Sequence, residues 1–377
     1  MNPRVEAIPG SLIRQIAAKK RATSIDLGLG EPSLMPTQMH LDAAMAYVRT
    51  HGLRYTQNAG DPELRALIAN HYRYPGMSEA ENVCVTTGSQ EAMYVVIKSI
   101  VNPATDDLLV VEPAFPSYVK MAALEGITVT TSVMRESDDF AFDAERILGG
   151  ITPRTRAIVI CSPCNPTGRS ISRVEAEKLV AGLRSRGGDP IWLLHDEIYR
   201  EQSFIDDAAE LAKLYDHTIV TNSLSKSNAL TGLRLGWIIA PRLEMDAMIK
   251  CHAWVTSCAD TFAQAVGKSI FETAGGIREH VGWYSDVQTT VTNALAASGL
   301  RSLPIDGSFY ACIQVPDKVS SLQTALNLID EVDVVTIPGI AFGSSFEGWL
   351  RLSWVAGGEK SQTGIERIAK HLLGQTT

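Results

Sequence analysis

Six short stretches of the chain, residues 83–87, 108–111, 157–161, 191–194, 218–221 and 234–240, are apolar almost throughout. Runs of that length without polar alternation predict strands covered on both faces of a sheet. Between them the apolar positions fall at helical spacing. Asp61-Pro62-Glu63 offers a cap, a first-turn proline and a first-turn acid, and Leu64, Leu67, Ile68, His71 and Tyr72 continue on one face. After Gly88-Ser89, residues Ala92, Val95, Val96, Ser99 and Ile100 repeat the pattern, and 172–186 carries another helix. The alternation predicts an α/β architecture with a mostly parallel mixed sheet between helices. Toward the end the texture changes, with one long helix over 279–297, short strands, and a last helix over 363–373. The expected organisation is a large domain over 39–283 and a smaller α+β domain assembled from 1–38 and 284–377.

Composition narrows the class. At 377 residues the chain exceeds one ordinary domain of about 150 residues. With 45% hydrophobic and 20% charged residues it can bury a large core, which excludes a disordered or collagen-like protein. A net charge of −8 argues against non-specific nucleic-acid binding, which needs clustered Lys and Arg. No membrane span is expected, because Lys98 interrupts even the run 94–101. The first 22 residues mix charged and apolar side chains and lack the apolar core of a secretory signal. Six cysteines are too few for a disulfide scaffold, so a cytoplasmic thiol state is expected.

Several catalytic signatures are missing. There is no G-x-x-x-x-G-K-[ST] phosphate loop, no H-E-x-x-H zinc helix and no G-x-S-x-G elbow. Gly28-Leu29-Gly30 begins a dinucleotide-type glycine pattern, but Ser33 stands at the third glycine. Cys161-Ser162-Pro163-Cys164 lacks the second pair a zinc ribbon needs, so no metal site is expected; a redox role competes with that of small residues after a buried strand.

Polar residues gather just after three of the apolar runs, at the carboxyl edge where open α/β sheets bind ligands. Cys164-Asn165-Pro166-Thr167-Gly168 follows the first, His195-Asp196-Glu197-Ile198-Tyr199 the second, and Ser223-Leu224-Ser225-Lys226 the third. Singly, these read as a turn, a helix start and a solvated lysine. Together and in this order, they resemble the class I/II aminotransferases, the pyridoxal-phosphate (PLP) enzymes of fold type I. Matching motifs run nearly end to end: 9–13 with Gly28–Pro32, Tyr55–Gly60, Thr86–Ala92, Glu112–Tyr118, Gly232–Gly236, Gly307–Tyr310, Pro338-Gly339 with Phe342-Gly343, and Leu350–Ser353.

The resemblance implies roles. Lys226 forms a Schiff base with the cofactor aldehyde and, once freed, shuttles the proton of the substrate α-carbon. Asp196 keeps the pyridine nitrogen protonated, while Tyr199 and Asn165 hydrogen-bond the ring's phenolic oxygen. Phe115 stacks on the ring. Gly88, Ser89 and Gln90 at a helix start, with Ser223, Ser225 and Arg234, hold the phosphate. Tyr55 reaches the neighbouring subunit's phosphate, which implies a homodimer with shared active sites. Arg351 clamps the substrate α-carboxylate as a bidentate fork, assisted by Asn165 and the Gly30 backbone. Ser33, His195 and Asn228 depart from residues common in the family and bear on substrate choice.

The implied reaction is transfer of an amino group between an L-α-amino acid and a 2-oxo acid. β-Elimination and amino-acid oxidation remain open on the same scaffold, because the fold does not fix reaction type. A third possibility, a ligand-sensing module behind a DNA-binding domain, is disfavoured by the acidic charge and by a motif pattern that starts at residue 9.

Overall fold

Seven strands form the sheet that carries the site. The computed structural model describes residues 1–316 and 319–374. After β1 (Ile25–Asp26), the chain lays down β2 (Val83–Thr86), β3 (Asp107–Glu112), β4 (Thr128–Val133), β5 (Thr155–Cys161), β6 (Trp192–Asp196), β7 (Thr218–Ser223) and β8 (Gly236–Ile239). Strands β2 to β8 pair in the order β2-β8-β7-β6-β5-β3-β4. All run parallel except β8, which is antiparallel to both neighbours.

The apolar runs are continuous because both faces of the sheet are covered. Leu108, Val110, Ala157, Val159 and Leu194 pack on one side against Ala92, Val95, Met245 and Met248. Their alternating neighbours Leu109, Val111, Ile158, Ile160 and Leu193 pack on the other against Ile147, Ala176, Leu179 and Leu183. A period of two, applied to an all-apolar run, thus feeds two cores. Helix Pro62–Tyr72 begins as its sequence predicts: the Asp61 carboxylate accepts the N–H groups of Glu63 and Leu64 at 2.9 and 3.0 Å, and Pro62 occupies the first turn.

Two differences from expectation have physical causes. Strand β4 reads Thr-Val-Thr-Thr-Ser-Val and is half-exposed, so this edge strand gives no apolar signal. The run 234–240 begins as strand only at Gly236, because Arg234 sits at φ 55°, the left-handed region.

Further on, β9 (Tyr310–Gln314), β10 (Val334–Val335), β11 (Ile337–Pro338) and β12 (Trp349–Ser353) complete the strands of the described residues. β12 pairs antiparallel with β9 and β11, and β1 pairs parallel with β10, bringing the start of the chain to its end. The long helix Val281–Ser298 packs beside Gly358–Leu373. No helix of the described residues is long and apolar enough to cross a membrane.

Candidate active site

The carboxyl ends of β2, β3, β5, β6 and β7 open on one side of the sheet, and a cavity of about 840 Å³ lies there. Its wall includes Gly30, Ser89, Gln90, Phe115, Asn165, Asp196, Tyr199, Ser225, Lys226, Arg234 and Arg351. Residues separated by more than 300 positions therefore share one chamber.

Lys226 stands on the short helix Leu224–Ser227, which begins directly where β7 ends. The Ser223 hydroxyl accepts the Ser225 N–H at 3.1 Å and fixes that turn. From there the Lys226 Nζ reaches across the cavity and donates to the Gly30 carbonyl at 2.7 Å. Burial, with the positive charge of Arg351 next in weight, lowers its pKa from 10.5 to about 8. An amine so tuned is neutral often enough at physiological pH to attack a carbonyl.

Asp196 is the last residue of β6 and is buried. Its carboxylate accepts the Tyr118 hydroxyl at 2.7 Å and the Ile198 N–H at 3.3 Å. Burial nevertheless pushes its pKa up, with these donors acting against the rise. A buried carboxyl in that condition has no ion pair among the described residues, and the protonated ring nitrogen of PLP would supply one. Tyr199 donates to the Tyr310 hydroxyl at 3.2 Å, and its own pKa is pushed well above 10 by burial, which keeps it a donor.

Arg351, on β12, is 2% exposed yet has no carboxylate partner among the described residues. It donates to the Asn165 side-chain oxygen at 2.9 Å and to the Gly28 carbonyl at 2.6 Å. The guanidinium lies 4.1 Å from the Tyr310 ring centre and 4.9 Å from that of Phe342, and its Nε is buried without a partner. A positioned cation with unused hydrogen-bonding capacity fits a carboxylate.

The anion end of the cavity is equally specific. Gly88, at φ 82°, caps helix Ser89–Ile100, and a Cβ there would fall 2.4 Å from Arg234 Nη2. Arg234 is anchored on the Thr231 and Thr87 carbonyls at 2.8 and 3.4 Å. Arginine and helix N–H groups together make a phosphate cradle. Amine, buried carboxylate and phosphate cradle therefore fit PLP.

Three expected residues lie off the cavity wall. Ser223 is fully buried with its hydroxyl spent on the Ser225 turn, and Tyr55 is 89% exposed, outside the cavity wall. Gly88 itself stands just behind Arg234. Conversely, Tyr118 and Tyr310 are hydrogen-bonded to Asp196 and Tyr199, and sequence reasoning assigned neither a role although both end quoted motifs. Cys161 and Cys164 are buried free thiols whose pKa values are raised by burial, which makes them poor nucleophiles and weakens the redox alternative.

Comparison with known proteins agrees with this chemistry. The family model "Aminotransferase class I and II" matches residues 22–372. An aspartate aminotransferase of Pyrococcus horikoshii is 32% identical over 99% of this chain and 97% of its own length. An arginine–pyruvate transaminase of Pseudomonas aeruginosa is also 32% identical, over 93% of this chain and 91% of its own. Among solved structures, the aspartate aminotransferase of Thermotoga maritima superposes with a TM-score of 0.91 at 26% identity, covering 99% of this chain and 100% of that one. The chain thus belongs to the class I and II aminotransferases and depends on pyridoxal phosphate.

Proposed function

We propose that this aminotransferase, whose substrates are amino acids and 2-oxo acids, works through Lys226, with Asp196 and Tyr199 on the cofactor and Arg351 on the substrate. The observation that carries the reading is the convergence of Lys226, Asp196 and Arg351 on one cavity, the lysine with a pKa near 8.

PLP supplies an electron sink for the bond broken at the substrate α-carbon. The chain's part is to bind, orient and move protons. The Arg351 guanidinium takes the α-carboxylate, with Asn165 and the Gly30 backbone alongside. That hold sets the α-carbon over the Lys226 amine, which removes its proton and later returns it elsewhere. Asp196 stays ionised against the ring nitrogen, steadied by Tyr118. Tyr199 and Asn165 would donate to the ring oxygen, and Phe115 would pack on the ring. Ser225, Ser89, Gln90, Gly88 and Arg234 hold the phosphate, with Ser223 shaping the turn that presents Ser225.

We also read the protein as a cytoplasmic homodimer. Leu53, Tyr55, Trp254 and Val255 are exposed apolar side chains, Tyr55 and Trp254 each at 89%, which supports a covering subunit and the assignment of Tyr55 to a neighbour's phosphate. Free thiols at all six cysteines are compatible with a reducing compartment. The pairing of β1 with β10 supports a small domain built from 1–38 and 284–377 beside a large one over 39–283.

The test is the absorption spectrum of the purified, PLP-loaded enzyme with single amino acids added. Bleaching of the yellow band with stoichiometric release of the donor's 2-oxo acid is expected, and Lys226→Ala should abolish turnover. An unchanged band with release of pyruvate and ammonia would instead establish elimination.

A further inference from the structure

The turn that carries Lys226 is too short to hold itself. Helix Leu224–Ser227 has four residues, and the chain leaves it through Ala229 at φ 56°, a left-handed conformation that non-glycine residues avoid. Such a conformation persists only where its surroundings fix it. Asn228, between the two, is fully buried and lies outside the cavity wall. Both ends of its amide are engaged. The side-chain oxygen accepts the Ser227 hydroxyl at 2.9 Å, and the nitrogen donates to the Gly276 carbonyl at 2.8 Å and the Glu279 carboxylate at 3.0 Å.

Glu279 continues the tie. Its second oxygen accepts the Thr37 hydroxyl at 2.8 Å, at the start of helix Gln38–His51, with His40 Nε2 3.6 Å away. The first oxygen lies 3.3 Å from Nε2 of His280, which precedes the long helix Val281–Ser298. From that helix the Tyr284 hydroxyl donates to the Lys226 carbonyl at 2.8 Å. The backbone of the lysine turn is thus fastened to two longer helices, while the Lys226 amine reaches the Gly30 carbonyl. That amine must travel between cofactor and substrate, and proton transfer is steeply sensitive to where the base stands. A fixed backbone under a mobile amine meets both demands.

We propose that Asn228 and Glu279 are positioning residues for Lys226, anchoring its turn to helices Gln38–His51 and Val281–Ser298 so that only the lysine side chain moves. The inference rests on the reading of Lys226 as the proton carrier. It gives Asn228 a task on the lysine rather than in substrate choice.

The test uses Asn228→Ala and Glu279→Gln in two measurements. Stopped-flow spectra of the PLP-loaded enzyme, with a donor amino acid unlabelled or deuterated at the α-carbon, give the single-turnover rate per bound PLP. Asn228→Ala should lower that rate by about tenfold, and the donor concentration for half-maximal rate should hardly change, since Arg351 keeps its place. The deuterium effect should be as large as in the unaltered enzyme or larger, because proton removal is the step that slows. Glu279→Gln, which keeps one oxygen acceptor, should lower the rate by about threefold. The cofactor-free Asn228→Ala protein should also capture PLP more slowly, because the Lys226 amine makes that bond too. An unchanged rate in either measurement overturns the proposal. So does a slower turnover whose deuterium effect shrinks toward unity, which puts the loss in another step. Glu279 is part-exposed, so Glu279→Gln carries the test by itself should Asn228→Ala fail to fold. Turnover persisting in Lys226→Ala removes the lysine reading itself; its loss there, with unchanged rates in both other variants, removes only the tie.

Discussion

The Tyr118 hydroxyl donates to the Asp196 carboxylate at 2.7 Å across 78 residues of sequence, joining the helix after β3 to the end of β6. The tyrosine's own pKa is driven far above 10, chiefly by burial and then by the carboxylate, so the bond keeps its direction at every working pH. This donor lowers an Asp196 pKa that burial raises. Tyr118→Phe should therefore raise it further. In the proposed mechanism the ionised carboxylate is the working form and is lost as pH falls, so the acid limb of the pH–rate profile should move to higher pH. A loss of about tenfold in kcat near that limb, shrinking at higher pH, is the expected size for one hydrogen bond to a charged group.

Lys226 yields a second pH prediction. With its pKa near 8, the cofactor-free protein should capture PLP faster as pH rises through about 8, far below the usual lysine range. After burial, the Arg351 charge is the next cause of the depression. Arg351→Gln should accordingly move the midpoint upward, as stopped-flow capture rates across a pH series would reveal.

Arg351→Lys should not rescue the clamp. A lysine keeps the charge but cannot reproduce a fork that donates to Asn165 and Gly28 while stacked between Tyr310 and Phe342. Steady-state kinetics should record a fall in kcat/KM of about 100-fold, with PLP still bound.

Gly88→Ala should weaken cofactor retention. The new methyl would fall 2.4 Å from Arg234 Nη2, at a backbone φ of 82° that L-residues rarely adopt. Equilibrium dialysis should show at least about a tenfold weaker hold on PLP, with the far-ultraviolet circular dichroism unchanged.

Asn165, Asp196 and Lys226 stand out in the sequence because each lies just after a largely apolar run, and a parallel sheet brings the ends of such runs together. Arg351 was legible only through the family motif, since a lone arginine in a strand carries no local sign of burial. Tyr118 and Tyr310 were quoted within motifs yet left without roles, because their partners lie 78 and 111 residues away. Strand β4 was invisible for a simpler reason, its threonines and serine reading as loop.

The junction of β1 with β10 bears on how the enzyme comes into being. Ser24 donates to Asp333 across 309 residues, Ile25 pairs with Val334, and the Gly28 carbonyl meets Arg351 across 323. This segment thus waits for more than 300 further residues to be made before it finds its partners. Contacts so distant in sequence form late, because the intervening loop must close before they contribute. A nascent chain stopped short of β12 keeps Lys226 and the turn at Gly88 but lacks Arg351, the arginine proposed to grip the substrate. Translation products that end before β12 should therefore be catalytically silent.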